Sequence, residues 1–181
     1  MMNVSDKIKY VGVDDLDIDL FESQYVVPEG MSYNSYVILD EKTAVMDTVD
    51  ARKTDEWINN VKVALGGKNL DYIVCLHMEP DHAMETFPTA KVVGNAKTFT
   101  YMAQFFDVNL EGRKVEVKDG ESLSLGEHNL TFVCAPMVHW PEVMVAYESS
   151  EKVLFAADAF GKFGAISKYD GDWACEARRY Y

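Results

Sequence analysis

The segment Tyr72-Ile73-Val74-Cys75-Leu76-His77-Met78-Glu79-Pro80-Asp81-His82 decides the reading, because an apolar run opens directly onto four side chains able to ligate a metal. In an extended backbone, alternation places His77, Glu79 and Asp81 on one side, and His82 follows where Pro80 already restricts the chain. Two imidazoles and two carboxylates exceed what one four-coordinate ion usually takes from so short a stretch. The spacing therefore points to two metals sharing the loop. The plain alternative is a polar, solvated turn after a buried strand.

Two further positions offer ligands at the ends of apolar runs. His139 follows Phe132-Val133-Cys134-Ala135-Pro136-Met137-Val138 and is stiffened from behind by Trp140-Pro141. Asp158 ends the uncharged run Val153-Leu154-Phe155-Ala156-Ala157, and a carboxylate there needs a partner or water. Taken singly, His139 reads as a structural histidine and Asp158 as a turn cap. Together with the first segment they come from strand ends that could meet at one edge of a sheet, where the ligand sites of open α/β folds gather.

Around these positions the pattern is mixed α/β. Residues 18–27 and 33–39 are rich in β-branched and aromatic types, and 35–47 reads as a hairpin about Asp40-Glu41-Lys42. Trp57, Ile58, Val61, Ala64 and Leu65 recur at helical spacing, with Asp50 or Thr54 as cap and Gly66-Gly67 as the stop. Strands follow at 71–76 and 91–93, then a helix capped by Asn95 that carries Phe99, Met102, Ala103 and Phe106 on one face. Beyond Arg113 come short strands at 114–117, 122–125, 130–134, 143–147 and 153–157, and Asp172 opens a last helix. His128, in Gly126-Glu127-His128-Asn129, reads as a solvated turn residue. Trp173, Tyr180 and Tyr181 read as an aromatic cluster that packs on the sheet or on a partner.

The totals narrow the class. A chain of 181 residues with 48% hydrophobic and 12% aromatic content suits one globular domain, residues 1–181. Thirty acidic against 17 basic residues give a formal charge of −13, which argues against nucleic acid and anionic membrane as partners. The polar, acidic first twenty residues hold no apolar core flanked by basic ones, so the expectation is a cytoplasmic protein without signal peptide or membrane span. Cys75, Cys134 and Cys175 lack framework spacing and read as small hydrophobes.

Three segments, His77-Met78-Glu79-Pro80-Asp81-His82, Met137-Val138-His139-Trp140-Pro141-Glu142 and Ala157-Asp158-Ala159-Phe160-Gly161, resemble the flavodiiron proteins in order and approximate separation. The catalytic domain of that family has the metallo-β-lactamase fold. In hydrolytic members of the superfamily the second ligand position of the first motif is typically histidine; here it is Glu79, as in the diiron branch. Carboxylate-rich ligation suits iron better than the histidine-rich sites that favour zinc.

The resemblance implies a metallo-β-lactamase-like αββα sandwich, of which this chain supplies the first half and part of the second. It implies a domain incomplete at its C-terminal side, with an apolar sheet face left for another chain to cover. It implies two iron ions, the first held by His77, Glu79 and His139, the second by Asp81 and His82, with Asp158 bridging. Dioxygen would be reduced to water, or nitric oxide to nitrous oxide. The electrons would come from a flavin or rubredoxin-type donor, since the FMN of the family sits on a flavodoxin-like domain absent from this chain. A homo-oligomer or a complementary chain would complete the assembly. Family members carry one more histidine for the second iron, and no histidine follows His139 here, so that iron is one ligand short. Two other readings keep the fold: a diiron domain that binds oxygen and reports it without turnover, and a zinc-dependent metallo-hydrolase, against which Glu79 argues.

Overall fold

The computed structural model describes residues 4–21, 23–78, 86–107, 109–168 and 172–178. Six strands form the central sheet, in the order β1 (Ile8–Tyr10), β6 (Tyr36–Ile38), β7 (Ala44–Met46), β8 (Tyr72–Val74), β9 (Lys91–Gly94) and β10 (Lys114–Glu116). The expected hairpin is β6–β7, antiparallel with Tyr36 opposite Met46. From β7 to β10 the pairings are parallel, so the chain must cross over between strands. The crossover from β7 to β8 runs through α1 (Thr54–Leu65), and that from β9 to β10 through α2 (Ala96–Phe105).

Period-two alternation sends each central strand's side chains to two different cores. Val37, Val45, Ile73 and Val92 face the helices and pack with Trp57, Val61, Leu65, Phe99 and Met102. Ile38, Met46, Val74 and Val93 face the other way and meet Leu130, Phe132, Met144 and Phe155. Burial on both faces explains why these strands read as continuous apolar runs. The second core belongs to an antiparallel sheet of β11 (Ser122–Ser124), β12 (Asn129–Cys134), β13 (Met144–Glu148) and β14 (Val153–Phe155). Its outer face presents Val133, Tyr147 and Leu154, which are 45%, 40% and 48% exposed. Helix, sheet and sheet make three layers among the described residues, as the metallo-β-lactamase-like expectation requires.

The helix signals act as read, with one shift. Asp50 caps a single 3-10 turn, Ala51–Lys53, by accepting the Arg52 amide, and α1 continues from that turn. Gly66 closes α1 at φ 58°, a left-handed conformation that glycine adopts without a Cβ penalty. Asn95 caps α2 by accepting the Lys97 and Thr98 amides. The Asp172 carboxylate accepts the Ala174 amide at the start of α3 (Trp173–Ala177). Trp173, of the expected aromatic cluster, is half-exposed and donates its indole N–H to the Phe160 carbonyl. Tyr180 and Tyr181 lie outside the described residues.

Three expectations need correction. The N-terminal stretch does not form one strand over 18–27. It makes a two-residue ribbon of β3 (Leu20–Phe21) and β4 (Tyr25–Val26), while β2 (Val13–Asp15) pairs with β5 (Met31–Tyr33) and β1 edges the main sheet. His128 is buried, 3% exposed, and its ring lies between Asp40 (Nδ1 to Oδ2, 2.8 Å) and Glu151 (Nε2 to Oε1, 3.2 Å). Of the cysteines only Cys75 is fully buried; Cys134 is partly buried and Cys175 exposed. No helix among the described residues is long and apolar enough to cross a membrane.

Candidate metal centre

The parallel strands β7 and β8 end side by side, and both deliver a polar residue there. Asp47 follows β7 at φ 53°, and its Oδ1 accepts the Leu76 amide at 2.7 Å, fixing the turn that carries His77. His77 is buried, and its Nε2 lies 3.6 Å from Asp158 Oδ2. The second sheet supplies the other two groups. His139 sits in the connection between β12 and β13, with Nε2 3.3 Å from the same Asp158 oxygen, and Asp158 follows β14. One ligand atom from each of His77, His139 and Asp158 lies within 4.8 Å of the other two. The sequence-derived convergence of these three strand ends is thus present. Glu79, Asp81 and His82 lie outside the described residues.

Two imidazoles and one carboxylate aimed at a common point form a donor set that first-row metals such as iron and zinc both accept. Both histidines keep their Nε2 toward that point, and the far nitrogen of His77 is engaged, with Nδ1 2.7 Å from Glu142 Oε1. The residues present therefore fit a metal ion. Trp140 packs edge-on to both rings, with centroids 5.4 Å from His77 and 6.3 Å from His139, and Tyr101 of α2 backs it at 6.5 Å. Four of the six non-glycine residues at positive φ among those described, Asp47, Met137, Ala157 and Phe160, lie at or beside this site. Such conformations cost energy and cluster at functional sites.

Two carboxylates beside the site escaped the sequence reading. Glu142 is fully buried and accepts the Met78 amide at 3.1 Å besides its contact with His77. Burial pushes its carboxyl up, but the hydrogen bonds from the His77 ring and the Met78 amide outweigh this and hold it below the ordinary glutamate range. Asp47 is the opposite case. Its carboxyl is enclosed although the residue borders the cavity, and burial pushes it up to about 7 against the Leu76 and His77 amides. Asp47 ends an apolar strand just as Asp158 does, so the same sequence signal could have found it. Glu142 directly precedes the apolar run 143–147, a weaker signal of the same kind.

A cavity of about 300 Å³ opens beside His77 and Asp158, walled by Phe21, Tyr33, Phe163 and Ile166. Its outer wall, residues 159–168, is tied to the β2–β5 ribbon. The Ile166 amide donates to Ser32 Oγ at 2.8 Å and the Ser167 amide to Asp14 Oδ2 at 3.1 Å, while Ser32 Oγ donates to Asp14 Oδ1.

A family profile described as ODP family beta lactamase matches residues 31–177. The chain belongs to this family. As an ODP beta-lactamase-like domain it is 36% identical, over 98% of its length, to a protein of Moorella thermoacetica named nitric oxide reductase, of which it spans 48%. It superimposes on the flavodiiron protein of Giardia intestinalis with a TM-score of 0.83 and 27% identity, covering 98% of this chain and 44% of that one. With the rubredoxin oxygen:oxidoreductase of Desulfovibrio gigas the TM-score is 0.81 at 32% identity, covering 92% and 43%. The ODP domain thus spans less than half the length of each of these relatives. The resemblance to flavodiiron proteins, drawn from three short motifs, and the metallo-β-lactamase-like fold it implied are both borne out.

Proposed function

We propose that residues 1–181 form a single domain that is the diiron-binding portion of a flavodiiron-type reductase, acting on dioxygen or nitric oxide with electrons from a flavin or rubredoxin-type donor carried elsewhere. The observation that carries the proposal is the meeting of His77, His139 and Asp158, one from the central sheet and two from the second, within 4.8 Å. His77, Glu79 and His139 would hold one iron, Asp81 and His82 the other, and Asp158 would bridge them. When bound, the pair of irons supplies reducing equivalents and open coordination positions for a small gas. The chain's own part is to orient. Glu142 holds the His77 ring, Asp47 holds the turn that carries it, and Trp140 packs edge-on against the ring. The mostly apolar walls of the neighbouring cavity favour a small uncharged substrate over a polar one.

Metal analysis of the purified chain, followed by oxygen- and nitric-oxide-electrode measurements with a reduced flavoprotein, tests this. Close to two irons per chain with gas consumption is the expected result, and the preferred gas is read from the two electrodes. A chain that takes zinc but no iron, or that holds iron and consumes neither gas, overturns it.

A further inference from the structure

We propose that Glu142 is a positioning residue of the metal centre, fixing the His77 ring in the one tautomer that presents Nε2 to the ion. The inference rests on the metal-binding reading of His77, His139 and Asp158. Glu142 Oε1 lies 2.7 Å from His77 Nδ1 and accepts the Met78 amide at 3.1 Å. A carboxylate offers only acceptors, so the proton in the Glu142–His77 contact sits on Nδ1. In the neutral ring the bare nitrogen is then Nε2, which lies 3.6 Å from Asp158 Oδ2, the oxygen that His139 Nε2 also approaches at 3.3 Å.

The backbone of Glu142 is itself held. The Glu142 carbonyl accepts Asn95 Nδ2 at 2.6 Å, and Asn95 is the cap of α2. A rigid path therefore runs from the end of one helix through Glu142 to the ring, and Trp140 stands edge-on at 5.4 Å. By accepting the Met78 amide the same oxygen also fixes the first residue after His77, where the chain leads toward Glu79 and Asp81. Without this acceptor the ring can take the other tautomer, which places a proton where a metal must bind. Loss of such an outer partner costs roughly 10–100-fold in metal affinity.

The test compares the wild-type chain with Glu142→Ala and Glu142→Gln, labelled with ¹⁵N-histidine and free of metal, by NMR, and then titrates each with Fe(II). The chain's four histidines keep the spectra simple. Expected for wild type is a His77 ring protonated at Nδ1 and bare at Nε2. Glu142→Ala should lose that tautomer and bind Fe(II) roughly 10–100-fold more weakly. Glu142→Gln, whose amide oxygen can still accept from Nδ1, should keep the tautomer and recover part of the affinity. Wild-type tautomer and affinity in Glu142→Ala overturn the proposal. Should that variant fail to fold, Glu142→Gln decides: a ring protonated at Nε2 with undiminished affinity overturns it, and the Nδ1-protonated ring with affinity between wild type and a tenfold loss supports it. A wild-type chain that shows the Nδ1 tautomer yet takes up no Fe(II) sinks the metal reading instead, which is a different outcome from equal binding by wild type and Glu142→Ala.

Discussion

Asp47 reaches from the end of β7 to the neighbouring strand and accepts the Leu76 amide at 2.7 Å, immediately before His77. Replacing Asp47 with Ala leaves that buried N–H unpaired, at a cost of about 1–3 kcal/mol. Asp47→Asn keeps an acceptor oxygen and tolerates the φ of 53°, so it should lose less. Urea unfolding of the two variants gives the comparison, and equal losses would mean that the hydrogen bond does not decide.

Ser35 joins that carboxylate's strand to the helical layer. Its buried Oγ donates to the Asp47 carbonyl and accepts the Trp57 indole N–H, both at 2.9 Å. Ser35→Ala strands a donor and an acceptor at once, and a loss of about 2 kcal/mol is expected. Denaturant titration followed by tryptophan fluorescence measures it.

Asn95 serves two partners, the first turn of α2 and the Glu142 carbonyl. Asn95→Ala should cost about 1 kcal/mol for the cap and about 1 kcal/mol more for the tie to Glu142. Asn95→Ser restores a capping hydroxyl but cannot reach Glu142, so it should recover only the first share. Thermal melts of both variants separate the contributions, and full recovery by serine would deny the tie any energetic role.

His128 fastens three turns together. Its Nδ1 and its backbone amide meet Asp40 at 2.8 and 2.7 Å, and its Nε2 meets Glu151 at 3.2 Å. Burial lowers the His128 pKa, but the hydrogen bonds to Asp40 and Glu151 outweigh it and leave the ring above the ordinary histidine value of 6.5. Burial likewise raises Asp40, and the bonds from His128 outweigh it and leave the carboxyl below its ordinary 3.8. A raised histidine contributes fully below 6.5 and loses its contribution as pH rises through its folded value; a lowered aspartate contributes fully above 3.8 and loses it as pH falls through its own. His128→Ala should therefore cost most between these two values, about 3 kcal/mol, and less in alkali. Urea midpoints measured from pH 4 to 9 check the sign, and a loss that grows with pH would refute it.

What could be read in the sequence divides along one physical line. His77, His139 and Asp158 were legible because each is a polar residue at the abrupt end of an apolar run, a purely local pattern. The hairpin 35–47 and the caps Asn95 and Gly66 were legible for the same reason. Glu142 was not, since its partner lies 65 residues earlier in the chain. His128 was misread because Gly126-Glu127-His128-Asn129 has the composition of a solvated turn, while its partner Asp40 stands 88 residues away. β1 was missed because three residues, Ile8–Tyr10, carry too little periodicity until Tyr36–Ile38 pairs with them.

The outer face of the second sheet carries an apolar strip among the described residues. Tyr147 and Leu154 are direct cross-strand partners, and Val133 lies diagonal to Tyr147, so the three exposed side chains form one continuous greasy strip. Contacts made through such a strip are driven by release of water, so they tighten on warming, loosen in the cold and change little with ionic strength. The acidic remainder of the surface pushes copies of the chain apart by a force that salt weakens. Any contact made along that flank would therefore be weakest in cold, low-salt buffer and strongest on warming with added salt.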